Sequence, residues 1–188
     1  MKVAVFFPGI GYHIDKPLLY YGKKLARELG YHIIEVNYTG FPKDVKGNEE
    51  KMKQSFDIAR KQAEELLCDV NFKAYESVMF ISKSIGTVVA AVYDNDHAVG
   101  AKHIYFTPVP QTFSVAREES GIVLHGLSDP WCETAVVEEG CQRLGLSLKT
   151  FADANHSLET GNCFRDLEII GEACKCVELE LLRKDNIL

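Results

Sequence analysis

The sequence contains no apolar run near the roughly 18 residues a membrane-crossing helix requires, so a spanning helix is excluded. The apolar stretch Met1–Gly9 is too short for a secretory signal with its flanks, and a cytoplasmic protein is expected. Positive charge is not in excess. Lys and Arg number 21 against 27 Asp and Glu, a net charge of −6, and the basic residues are scattered. The electrostatic footprint of a nucleic-acid binder is therefore missing, and neither nucleic acid nor a membrane is expected as a partner. The six cysteines include no CxxC pair and are read as reduced thiols. Cys174 and Cys176 form a CxC on a predicted helix, where side chains two apart diverge, so a shared metal is not expected. Repeats, linkers, metal-ligand clusters, a phosphate-cradling lysine motif and a covalent cofactor site are all missing, and no cofactor is expected.

What is present is an ordinary globular composition, with 188 residues, 46% hydrophobic and 26% charged. One domain over 1–188 with a sizeable core is the expectation. Val-, Ile- and Phe-rich runs alternate with segments of helical period, the pattern of a mostly parallel sheet in a three-layer αβα sandwich. Strands are predicted near Lys2–Phe7, His32–Asn37, Ser77–Ser82, Ala101–Phe106, Gly121–His125 and Ser147–Phe151. Asp15 and Pro17 are expected to open a helix ending at Gly30. In Glu49–Asp69 a buried stripe is read from Met52, Phe56, Ala59, Ala63, Leu66 and Leu67. Ser84–Tyr93 is small and apolar all round, as in a helix buried on the sheet. A final helix is predicted with Phe164, Leu167, Ile170, Cys174, Val177 and Leu181 inward. Thr39–Asn48 is the most loop-like stretch, and Thr107–Ser120 is a long connection without a strong helical stripe.

Ligands of open parallel sheets bind beyond the carboxyl ends of the strands, so the residues following each strand are the place to search. The third predicted strand breaks into Lys83-Ser84-Ile85-Gly86-Thr87 and then a helix. That strand, sharp turn and helix form a nucleophile-elbow pattern, in which small residues must stand two before and two after the strained central position. Ser82 and Gly86 meet the requirement, making Ser84 the candidate nucleophile. The bland reading is that Ser82 and Ser84 only cap the helix.

Two further strand ends supply an acid and a base. Gly126-Leu127-Ser128-Asp129-Pro130-Trp131 follows the fifth strand, and Ala152-Asp153-Ala154-Asn155-His156-Ser157 follows the sixth. A turn aspartate or a loop histidine is ordinary alone. Ser84, Asp129 and His156 together run in the Ser…Asp…His order of one hydrolase fold. Asp153 is a rival acid, with Asp129 preferred on chain order.

On Ser82-Lys83-Ser84-Ile85-Gly86, Gly126-Leu127-Ser128-Asp129-Pro130 and Asn155-His156-Ser157-Leu158-Glu159, the chain resembles the small, lidless, bacterial-type members of the alpha/beta-hydrolase superfamily. The resemblance covers most of the chain and omits the two leading strands usual there, so Lys2–Phe7 corresponds to the superfamily's third strand. It implies a strand order of 2-1-3-4-5-6. It also implies oxyanion donors from the amide of Ile85 and from the loop Phe7-Pro8-Gly9-Ile10-Gly11-Tyr12. Pro8 has no N–H, and Ile10 is preferred, with Gly11 left open because the usual His-Gly start of that loop is missing.

The expected function is a serine hydrolase cleaving small soluble carboxylic esters or thioesters through an acyl-enzyme. Only Thr107–Ser120 is available for a lid, so a shallow open pocket is expected, with Gly9, Gly11, Tyr12, Thr107, Pro108, Val109 and Phe113 near the substrate. Trp131 and Cys132 are placed at its rim, and His13 is read as a surface residue. Two alternatives are a catalytically silent scaffold that binds a partner, and a dinucleotide-binding protein. The second rests on Gly9-Ile10-Gly11, but Ile14 stands where a third glycine is needed.

Overall fold

In β1 (Lys2–Phe7), Val3, Val5 and Phe7 face one helical layer while Ala4 and Phe6 face the other, so both sheet faces are apolar. The computed structural model describes residues 1–45 and 47–183. Lys46, within the predicted loop Thr39–Asn48, and 184–188, within the expected domain span, lie outside the described residues. β1 lies between β2 (Tyr31–Glu35) and β3 (Ser77–Lys83), followed by β4 (Lys102–Phe106), β5 (Gly121–Gly126) and β6 (Ser147–Phe151). All pairings are parallel, and the order is β2-β1-β3-β4-β5-β6. The order reverses between β1 and β3, which opens a crevice at their carboxyl ends.

Helices cover both faces. α1 (Pro17–Glu28) and α6 (Cys163–Leu182) pack on Ala4, Met79, Ile81, Ile104 and Leu124 through Leu19, Ala26, Ile169 and Val177. On the opposite face, α2 (Glu49–Leu67) and α3 (Ile85–His97) cover β1 and β3. There α4 (Thr112–Val115) and α5 (Thr134–Leu144) cover β4 and β5. The connection from β4 to β5 holds only the short α4. α5 has no counterpart among the predicted helices, although it ends on Gly145 in the left-handed conformation that glycine favours.

Three local expectations are corrected. Asp15 does not cap α1: the cap position is Lys16, without a side-chain bond, and Asp15 Oδ1 instead meets Lys23 Nζ at 3.3 Å. In α6 the buried row is Ile169, Ala173, Val177 and Leu181, whereas Phe164 and Leu167 are exposed. The sequence offers two rows of similar period, and the four-residue row is the one that meets α1. In α2, Leu66 is exposed, with Ala59, Ala63 and Leu67 buried.

Candidate active site

Ser84 sits between β3 and α3 with φ 55° and ψ −126°, a positive-φ conformation outside the left-handed helical region that a non-glycine residue adopts only under constraint. Its side chain makes no capping bond to the helix, so the bland capping reading fails for this residue. Small neighbours make the turn possible. Ser82 is fully buried and donates its hydroxyl to the Ile104 carbonyl at 3.3 Å. A Cβ on Gly86 would overlap the carbonyl oxygens of Phe7 and Pro8.

The hydroxyl released from capping meets an imidazole. Ser84 Oγ lies 2.8 Å from His156 Nε2, and His156 Nδ1 lies 2.7 Å from Asp129 Oδ2. The Asp129 carboxylate is buried, and its Oδ1 accepts the Trp131 N–H at 2.8 Å. Asp153 is exposed in the turn after β6, and the acid facing His156 is Asp129. Burial lowers the His156 pKa; the bond to Asp129 opposes this, and the positive charge of Lys83 reinforces it.

The two loops carrying acid and base are stitched together. Ser128 N–H donates to the Ala154 carbonyl at 2.9 Å. A Cβ on Gly126 would strike the carbonyls of Ala154 and Asn155, so only glycine lets the loops approach this closely. Asn155 Oδ1 accepts from Ser157 N–H at 2.7 Å and Glu159 N–H at 3.2 Å, closing the turn around His156. Thr107, expected as a pocket wall, instead donates its hydroxyl to the His156 carbonyl at 2.9 Å. Nothing in its sequence context signals that bond.

The loop after β1 reaches the same place. Gly9 N–H donates to the Tyr12 carbonyl at 3.1 Å, which leaves Ile10 and Gly11 at the tip of a tight turn, Gly11 with φ 72°. A Cβ on Gly9 would lie 3.0 Å from the Ser84 Cβ, so this loop adjoins the elbow. Ile85 opens α3, where first-turn amides have no intrahelical acceptor. The glycine loop does not run straight into a helix, because α1 begins only at Pro17. A dinucleotide loop needs that helix start against its phosphates, and the reading finds no support here.

Tyr12 is buried, and its phenolic oxygen accepts the Leu18 N–H at 3.2 Å. Lys83 is also buried, with Nζ 4.9 Å from the centre of the Tyr12 ring. Burial pushes the Lys83 pKa down to about 7, against the opposing pull of Asp129 and Glu159. The sequence singled out neither relationship. All six cysteines are free, and burial pushes the thiols of Cys132 and Cys141 up to about 12, which makes them poor nucleophiles. Among the described residues no group of three His, Cys, Asp or Glu is placed to hold a metal ion, and no helix is long and apolar enough to cross a membrane.

Beside Ser84 opens a groove of about 770 Å³ lined by residues of α2, α3, the β4–α4 connection and α4, together with Trp131. Of the expected wall residues, Val109 lines it, while Tyr12, Thr107, Pro108 and Phe113 do not. Phe113 is buried against Gly140 of α5.

The sheet order, with an elbow after its third strand and polar loops after its fifth and sixth, is the alpha/beta-hydrolase fold in a small form. No protein-family profile and no curated protein matches the sequence. Solved structures do match. A protein of Xanthomonas campestris pv. campestris described under the alpha/beta hydrolase superfamily aligns over 95% of this chain and 97% of its own, at 14% identity and a TM-score of 0.70. A second Xanthomonas campestris protein, described as an a/b serine hydrolase without lid, aligns over 97% and 83% at 12% identity and TM-score 0.63. Est1E of Butyrivibrio proteoclasticus, solved with ferulic acid bound, aligns over 97% and 90% at 8% identity and TM-score 0.69. At such identities the likeness is one of fold.

Proposed function

We propose that the protein is a serine hydrolase of carboxylic esters or thioesters. The observation that carries this reading is the continuous chain from Ser84 Oγ through His156 to Asp129, at 2.8 and 2.7 Å, beginning on a strained elbow. Ser84 Oγ attacks the acyl carbon as its proton passes to His156 Nε2, while Asp129 holds the Nδ1–H and the ring orientation. The negative charge on the acyl oxygen is met by the amide of Ile85 and one from the turn tip, Ile10 or Gly11, each worth about 10²–10³ in rate. His156 then returns the proton to the leaving oxygen or sulfur, and the alcohol or thiol departs. Water, deprotonated by His156, attacks the acyl-enzyme, releasing the carboxylic acid and regenerating Ser84.

The test is covalent labelling with a fluorophosphonate, alongside hydrolysis of p-nitrophenyl acetate. A single adduct on Ser84 is expected, lost in Ser84→Ala and slowed in His156→Ala. Labelling that persists in Ser84→Ala ends the assignment. A folded protein that is neither labelled nor active would instead support the silent scaffold.

A further inference from the structure

We infer that the substrate carries a neutral apolar arm, alkyl or aryl, which lies in the groove between α2 and α3, so that the shortest esters are poor substrates. This rests on the hydrolase reading and adds a substrate class to it.

Two helical rows face each other across the groove. From α3 come Ile85, Val88 and Val92, and from α2 come Met52 and Phe56. In the sequence both rows read as ordinary core stripes. Deeper in the fold they close, with Ala59 and Ala63 of α2 packed in one cluster with Val89 and Ala90 of α3. Along the groove they do not close, and Met52, Phe56 and Val92 remain half-buried. The α3 row covers two helical turns, about 10 Å.

The groove adjoins the triad through two of its lining residues, although Ser84 and His156 themselves do not line it. Ile85 directly follows Ser84, and the Trp131 ring, on the groove edge, has its centre 5.6 Å from that of His156. A group attached to a carbonyl held at Ser84 has Ile85 and Trp131 as its nearest groove walls. Charge selects the occupant. At the rim Glu49 and Lys53 have opposite signs, and Arg60 is engaged by Asp96 at 2.9 Å, so no net charge is offered to an anionic or cationic arm. A pocket of this volume with apolar walls suits a drug-sized group.

Rates on p-nitrophenyl acetate, butyrate and octanoate, and on methyl and octyl acetate, test the inference on the acyl and alcohol sides separately. Each buried methylene is worth roughly fourfold, so kcat/KM should rise about 10²-fold or more along one series, mainly through KM. Met52→Trp and Ser114→Trp narrow the groove from opposite walls at positions that are not fully buried. Either should cut the long-to-short ratio roughly tenfold. A ratio near one in both series, with Ser84-dependent acetate hydrolysis intact, overturns the inference and leaves the hydrolase reading standing. Loss of Ser84 dependence for every ester removes both.

Discussion

Gly86 lies so close to the carbonyl oxygens of Phe7 and Pro8 that a Cβ there would overlap both. The start of α3 is thereby pressed onto the loop that carries Ile10. In an open helix, Gly→Ala stabilises by about 0.5–1 kcal/mol. Here Gly86→Ala should destabilise by roughly 1–3 kcal/mol, because backbone must shift, and should lower kcat by separating the Ile10 turn from the Ile85 amide. Thermal unfolding and steady-state rates check this; a raised melting temperature would contradict it.

The base His156 must be neutral to accept the Ser84 proton. Its pKa is lowered by burial, with the Asp129 bond only partly compensating. Activity should therefore persist into mild acid, with the midpoint of the acidic limb of kcat/KM below the ordinary 6.5. A limb centred at or above that value, or no acidic limb at any pH at which the protein stays folded, would be inconsistent with His156 as the base.

Asp129 and Asp153 separate cleanly by substitution. Asp129→Asn removes the charge facing His156 Nδ1 and allows the wrong tautomer, and kcat should fall roughly 10³–10⁴-fold. Asp153→Asn, at an exposed turn, should stay within about twofold. Equal losses in both would displace Asp129 from its role.

Lys83 costs stability where it stands. Its folded pKa of about 7 lies below the ordinary 10.5. The penalty is thus fully present below pH 7 and fades as pH rises toward the unfolded value. The cation–π contact with Tyr12 returns part of it. Lys83→Met should raise stability at pH 6–7 by on the order of 1–4 kcal/mol, with the gain vanishing near pH 10.5. Removing this positive charge should also raise the His156 pKa, moving the acidic limb of activity upward. Denaturant melts across pH and the rate profile of the variant measure both.

Much of this was legible in the chain. β1 and β6 have the predicted bounds, Lys2–Phe7 and Ser147–Phe151: β1 is buried on both faces and reads as an apolar run, and β6, an edge strand, is bounded by the end of α5 and the turn that begins at Ala152. Ser84 is recognisable because the elbow places demands on its own neighbours, Ser82 and Gly86. α5 is harder to see, since its buried residues Val137, Cys141 and Leu144 are few and are broken by Gly140. The phase of α6 could not be read because a helix can turn either of two similar rows inward, and only contact with α1 chooses between them.

The sequence alone determined the alternation of strands and helices and the strand-end positions of Ser84, Asp129 and His156, since periodicity and turn chemistry are local properties. Tertiary structure decided the rest. The 2.7 Å approach of Asp129 to His156 depends on Gly126 and the carbonyl of Ala154 lying against each other, and the open groove depends on where two helices stop touching. An apolar row has the same spelling whether a neighbouring helix covers it or leaves room for a ligand, so only packing distinguishes core from binding site.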